Sequence, residues 1–348
     1  MIKKYQKMLQ EIEDERIDQE SLHRNSKVLI VDGMNLFIRT FSAIPTLNEE
    51  GVHVGGLSGF LLSLASTIRM VNPTRLIVVF DGKGGSYRRR QMYSNYKEKR
   101  SMKSRLNRIV GFENLEDEQA SIKHQLLRVY KYLDNLPVNI ISIDQIEADD
   151  VIAYLSSYLK EKVVILSNDR DFLQLVSDRV NVYLPTKKKM YTPEALYEET
   201  GIWCENYIIY KSLLGDKSDN IEGMKGIGVK TIHKNFPMLS EKRRIDLEMF
   251  SEFCRLYDGN VKSILTLKDN INLLERNHAI MQLHDVDISQ SHKSNIRNLV
   301  DGDIDGIKNS ELSKLYIQDK LHSVIPNWDN WLKKNFTSLN LLRNKHAR

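Results

Sequence analysis

Cysteine is almost absent from this chain: Cys204 and Cys254 are the only two in 348 residues, and they lie far apart. That excludes a disulfide framework and a cysteine-based zinc site, and it fits a reducing compartment. No apolar run approaches the roughly 18 residues needed to cross a bilayer. The opening stretch MIKKYQKMLQEIEDERIDQE is too charged for a signal peptide. A soluble, non-secreted protein is expected, with no membrane partner. There is no internal repeat and no low-complexity linker. The formal net charge of +5 does not by itself select a partner, so the distribution of charge has to decide.

What is present is enough apolar residue, 41%, for one large or two modest cores. Residues 1–26 have Tyr5, Met8, Leu9 and Ile12 at helical spacing and are expected to form a helical extension. Four short β-favouring runs follow, at Lys27 to Val31, Arg75 to Phe80, Val138 to Ile143 and Lys162 to Leu166. Helical patterns such as Gly56 to Met70 and Ala120 to Leu133 lie between them. This alternation predicts a doubly wound α/β fold with a mostly parallel sheet.

In such sheets the functional crevice lies beyond the carboxyl ends of the strands, and these runs lead into acid. Asp32 and Asp81 directly follow two of them, Asp169 and Asp171 follow the fourth, and Glu147, Asp149 and Asp150 follow the third. Asp216 and Asp219, in a turn-rich loop after the helical pattern Tyr207 to Leu214, are placed to reach the same edge. Taken singly, an acid after a strand is a helix N-cap or a turn residue. Either Asp169 or Asp171 would cap a helix starting near Phe172. Taken together, so many carboxylates repel one another and require cations among them. Hard ions such as Mg²⁺ or Mn²⁺ prefer oxygen ligands, and two of them about 4 Å apart can clamp the attacking and leaving oxygens of a phosphodiester.

Between Gly82 and Val110, Lys83, Arg88, Arg89, Arg90, Lys97, Lys99, Arg100, Lys103, Arg105 and Arg108 face only Glu98. Tyr87, Tyr93 and Tyr96 are interleaved. A solvated helix face would have the same composition, but the segment begins directly after Asp81. Phosphate contacts and ring platforms for unpaired bases are therefore expected beside the acids. Gly223 to Thr231 reads as two short helices joined by a glycine turn. There Gly226 and Gly228 allow close approach of a phosphate, and Lys225 and Lys230 add charge, as in duplex-backbone binding. It lacks the order of a nucleotide P-loop.

In sequence order, Val28-Leu-Ile-Val-Asp-Gly, Phe80-Asp-Gly, Tyr96-Lys-Glu-Lys-Arg100, Glu147-Ala-Asp-Asp, Asp169-Arg-Asp171, Gly215-Asp-Lys-Ser-Asp-Asn-Ile and Gly226-Ile-Gly resemble the flap endonuclease, or 5′-3′ exonuclease, family. The resemblance covers residues 27 to about 240 and is strongest to its stand-alone bacteriophage members, ribonuclease H-like 5′-nucleases among them. It implies a PIN-like nuclease core at 27–200 with a helical arch at 82–118. It places a helix-hairpin-helix-like module and a C-terminal helical region at 201–348. Asp32, Asp81, Glu147, Asp149, Asp150 and Asp169 then correspond to a first metal cluster, and Asp171, Asp216 and Asp219 complete a second.

Lys97 and Arg100 correspond to basic residues that approach the scissile phosphate, Tyr96 to a stacking partner, and the Gly226–Gly228 turn to a site for a monovalent cation such as K⁺. The implied activity is metal-dependent hydrolysis of branched or 5′-ended duplex DNA and of RNA–DNA hybrids during primer removal. The implied setting is a monomer in a bacterial or phage-infected cytoplasm, beside single-strand-binding or other replication proteins. Two features depart from the family pattern: the segment before Lys27 is long, and Met224-Lys225 stands where Val-Pro is common. A PIN-domain ribonuclease would share the strand-end acids but not the glycine turn. A catalytically silent junction binder would not need every acid.

Overall fold

The computed structural model describes residues 22–98 and 105–346, so the expected helix over 1–26 lies almost wholly outside it. The part that is described, 22–26, is turn rather than helix. Arg24 is buried there, with its guanidinium donating to the carbonyls of Asp301 and Gly302.

Six strands form one sheet in the order β3-β2-β1-β4-β5-β6. They are β1 (Lys27–Asp32), β2 (Arg75–Asp81), β3 (Asn139–Ile143), β4 (Lys162–Leu166), β5 (Val180–Leu184) and β6 (Lys189–Tyr191). All adjacent pairs are parallel except β5–β6. The four runs expected as strands are strands. The β5–β6 hairpin was not anticipated, because β6 has only three residues.

The central strands read as unbroken apolar runs because both faces of the sheet are covered. Leu29, Val31, Leu76, Val78 and Phe80 face one core, with helices Gly33–Ala43, Gly55–Val71 and Leu115–Leu133. Val28, Ile30, Ile77 and Val79 face the other, with helix Ala148–Tyr158 and much of the chain from Tyr207 to Val300. Residues 201–348 do not build a core of their own. Leu312, Tyr316, Leu332 and Phe336 return to the first face of the sheet, while Ile232, Phe250 and Leu274 belong to the second. Packing therefore crosses the boundary expected at residue 200.

The chain runs from β1 outward to β2 and β3, then crosses to β4, so the order of connection reverses between β1 and β4. This is the switch point at which open α/β sheets leave a crevice. In register, Asp32 lies opposite Val79, and Asp81 lies opposite Ile143. Just past this edge, a Cβ on Gly82 would stand 1.7 Å from the Ile143 carbonyl oxygen and 2.7 Å from Asp144 N. Backbone at that distance cannot yield as a side chain can. Gly82→Ala is therefore expected to destabilise the fold by about 1–3 kcal/mol through overpacking, read as a lower urea midpoint. An unchanged midpoint would mean that the two loops are not in such close contact.

Candidate active site

Asp32 closes β1, is 5% exposed, and caps the next helix by accepting from Asn35 N at 3.0 Å. Its other oxygen accepts from Ser167 Oγ at 2.9 Å, and Asn35 Oδ1 accepts from Asn168 N at 3.0 Å, which ties the ends of β1 and β4 together. Asp169 caps the 3₁₀ turn Arg170–Leu175 by accepting from Asp171 N at 2.8 Å. Asp81 accepts from Ala148 N at 2.8 Å, so it caps helix Ala148–Tyr158 from the neighbouring strand. The capping roles are real. They also hold the carboxylates in place, because each cap bond restrains the side chain that accepts it.

These acids lie within one another's fields. Burial and then the Asp81 charge push Asp32 up to about 6, and burial and then Asp171 push Asp169 up to about 7. Burial first, with Asp169 and Asp32 behind it, raises Asp149 well above the usual range, and burial raises Asp171. Lys211, on helix Tyr207–Leu214, lies 2.7 Å from Asp171 Oδ1 and 2.9 Å from Asp216 Oδ2. Burial opposes ionisation of Asp216, but Lys211 outweighs it and brings that carboxyl down to about 2. Nothing in the sequence singles out Lys211, because a lone lysine on an apolar helix carries no signal. Only its reach to two acids, one of them forty residues away, gives it a role.

The expectation for Arg89 is corrected. It is not on the nucleic-acid surface but 7% exposed. Its guanidinium pairs with Glu147 and grips Asp150 at 2.6 and 3.1 Å, and Nε donates to the Ile280 carbonyl at 2.9 Å. A guanidinium has five donors in a fixed fork, and two carboxylates plus a carbonyl satisfy it in the interior better than a mobile backbone would outside. Tyr96 is corrected for a related reason: it is 2% exposed and donates to Glu147 Oε2 at 3.3 Å, so no base can stack on it.

Glu147 also accepts from Ser86 Oγ and Lys97 Nζ, each at 2.7 Å. Burial would raise its carboxyl, but Arg89 and Lys97 outweigh that and bring it down to about 2. Glu147 and Asp150 thus anchor the first leg of the basic segment. Lys97 has a left-handed φ of 55°, which is uncommon for lysine, and is held there by its N–H donating to the Asp219 carbonyl at 3.0 Å. Asn220 Nδ2 donates to the Asn95 carbonyl at 3.0 Å, a second stitch between the two loops.

Arg88, 3.3 Å from Asp287, and Arg90 keep exposed surface, as does Tyr87. The ring of Tyr93 lies under the guanidinium of Arg276, 4.4 Å from the ring centroid. Arg100 and Lys103 lie outside the described residues. On the return leg, Glu118 is buried and accepts from the backbone of Leu106 and Asn107 at 3.1 and 2.7 Å.

The glycine turn has one helix, not two, in immediate contact: Val229–Asn235 follows it, while a bridged loop separates it from Tyr207–Leu214. Gly226 has φ 77°, and a Cβ on Gly226 or Gly228 would meet nothing within 4 Å. Lys225 and Lys230 are exposed beside them.

Among the described residues, no group of three or more His, Cys, Asp or Glu is already arranged as a metal cage. The donor set fits hard divalent cations all the same. Neighbouring carboxylates that raise one another's proton affinity are what such ions relieve.

Two measurements follow from this geometry. Raised carboxyl pKa values mean that the folded chain holds protons the unfolded chain releases. The contribution of Asp32 and Asp169 is complete below about pH 4 and lost as pH rises through 6 to 7. Glu147 and Asp216 act in the opposite sense, but below that window. A divalent ion, with Ca²⁺ as a non-cleaving probe, is therefore expected to raise Tm much more at pH 8 than at pH 5. Equal gains at both would remove the charge argument for a metal site. Second, Arg89→Met should cost about 3–5 kcal/mol in urea unfolding by leaving buried carboxylates unpaired, whereas Arg90→Met should cost little. Equal stability of the two variants would return Arg89 to the surface.

Comparison with known proteins bears on the same residues. The family described as 5′-3′ exonuclease, N-terminal resolvase-like domain, matches residues 27–201. A 5′-3′ exonuclease of Bacillus subtilis is 31% identical over 273 residues, covering 75% of this chain and 84% of that protein. DNA polymerase I of Bacillus caldotenax is 34% identical over 217 residues, 60% of this chain but 23% of the polymerase. The flap endonuclease of bacteriophage T5, solved in a pseudo-enzyme–product complex with DNA and metal ions, has the same fold. Its TM-score is 0.60 at 22% identity, over 86% of this chain and 99% of that one. With strand-end carboxylates at the switch point of a PIN-like sheet and a family match across the whole of it, this chain belongs to the 5′-3′ exonuclease family and is a metal-dependent nuclease.

Proposed function

We propose that this nuclease is structure-specific, cutting 5′-flap and 5′-ended duplex DNA and the 5′ strand of RNA–DNA hybrids, with primer removal during replication as its setting. The observation that carries the reading is the junction of two features: a carboxylate cluster, buried to half-buried for the most part, at the β1–β4 edge, and a basic segment whose first leg is anchored to that cluster through Glu147 and Asp150. A strand held by the segment is delivered to the acids.

Asp32, Asp81, Asp149 and Asp169 would hold one ion, with Glu147 and Asp150 behind them, and Asp171, Asp216 and Asp219 would hold another. Mg²⁺ is the expected ion, with Mn²⁺ as a substitute. Bound there, divalent ions supply Lewis-acid polarisation of the phosphoryl oxygens and a lower pKa for water. The chain's own groups do the rest. Water attacks phosphorus in line with the departing 3′-oxygen, leaving a 5′-phosphate. Lys97, whose charge is reinforced by Asp149 and Glu147 against the cost of burial, stabilises the charge that builds on the phosphoryl oxygens. Arg100 joins it from the arch. Arg88, Arg90 and Lys103 hold the single strand, and Tyr87, which is 62% exposed, offers the ring face that Tyr96 does not.

Lys225, Gly226, Gly228 and Lys230 receive the duplex arm, with a monovalent cation such as K⁺ held at the Gly226–Gly228 turn. No described helix is long and apolar enough to cross a membrane. A monomer acting in the cytoplasm of a bacterium or phage-infected host, in contact with replication proteins, suits this reading.

Asp169→Asn separates the two roles of that residue, because asparagine caps a helix as aspartate does but carries no charge. The variant should lose cleavage of an end-labelled 5′-flap duplex in Mg²⁺ and keep most of its binding in Ca²⁺. The parent should cut at or next to the junction. Full activity in the variant would remove the metal assignment, and parent cleavage of hairpin RNA alone would move the protein to the ribonuclease class.

A further inference from the structure

Beside the glycine turn lies an open groove of about 800 Å³ with two walls. One wall is helix Val229–Asn235, carrying Lys230 and Lys234. The other is helix Lys262–Asp269, carrying Lys262 and Thr266. Lys225 also lines the groove. All four lysines are exposed, and no carboxylate lines the groove. Among the described residues, none of the four is in an ion pair.

The walls are not independent. Asn235 Nδ2 donates to Ser263 Oγ at 2.6 Å across them, and Ile232, Ile264 and Leu267 root both helices in the same core at 0–3% exposure. A rigid trough with positive charge on two sides and none negative is a receptor for a phosphodiester backbone. Such a backbone presents a charge at every step and loses condensed counterions when neutralised. Lys262 and Thr266 lie beyond residues 27–201, the part that the family model matches.

The geometry points to helix Lys262–Asp269 as the second wall of a duplex-backbone groove, with Lys262 making a phosphate contact and the Thr266 hydroxyl, which donates to the Lys262 carbonyl at 2.9 Å, lining the wall beside it. This rests on the reading of the glycine turn as a duplex site and extends it to a second element. It makes grip on the duplex arm a property of two helices rather than of one turn.

The experiment is fluorescence anisotropy of a labelled blunt DNA duplex with the full chain in Ca²⁺, titrated over a series of KCl concentrations. Each phosphate contact contributes about 0.9 to the slope of log affinity against log salt. Lys262→Ala should lower the slope by about 0.9, as should Lys230→Ala, and the double variant by about twice that amount, with thermal melting unchanged. A lowered slope in Lys230→Ala with none in Lys262→Ala would overturn the second wall and leave the turn standing. No change in either would overturn the duplex reading of the turn itself. Equal loss for single-stranded and duplex probes at Lys262 would show a strand site instead and would also overturn the proposal.

Discussion

Repulsion among carboxylates gathered at one sheet edge is the constraint to which the rest of the molecule answers. Asp32, which is buried, and Asp149, Asp169 and Asp171, which are half-buried, sit close enough together for their proton affinities to be raised, a state that opposes folding at neutral pH. The chain relieves part of this with its own cations. Arg89 and Lys97 neutralise Glu147 and Asp150 on one side, and Lys211 serves Asp171 and Asp216 on the other. What remains between those two groups is the uncompensated centre, and it is there that divalent ions have most to contribute.

The internal cations do more than balance charge. Arg89 and Lys97 both come from the basic segment, so pairing them with Glu147 and Asp150 docks that segment onto the acid cluster. Lys97 N–H and Asn220 stitch it again to the loop that bears Asp216 and Asp219. The basic segment and the acid cluster are therefore joined in one ion-pair network. A buried pair of this kind is weak evidence of net stability, since desolvation offsets much of the attraction. Its consequence here is positional.

The sheet supplies rigidity. Apolar side chains on both faces of β1 and β2 leave the strands no freedom to shift register, since a slip of one residue would exchange the two cores. The strand ends are consequently fixed points, and cap bonds from Asp32, Asp81 and Asp169 carry that precision out to the carboxylates.

The amino-acid sequence alone determined the strands β1 to β4, the acid at each of their ends and the concentration of positive charge after Asp81. These are local properties: a strand buried on both faces must be an unbroken apolar run, and the residue after it must be polar enough to meet the crevice. Which basic residues face inward was not legible. Arg88, Arg89 and Arg90 are chemically equivalent in the run, and only Glu147 and Asp150, some sixty positions away, single out Arg89. Tyr96 was misplaced for the same reason, because a tyrosine among lysines and arginines reads alike whether it stacks on a base or bonds to a buried carboxylate. Lys211 and the wall formed by Lys262 and Thr266 had no sequence signal at all. Their roles come from neighbours that folding brings together across distant segments, and proximity of that kind is a property of the tertiary structure alone.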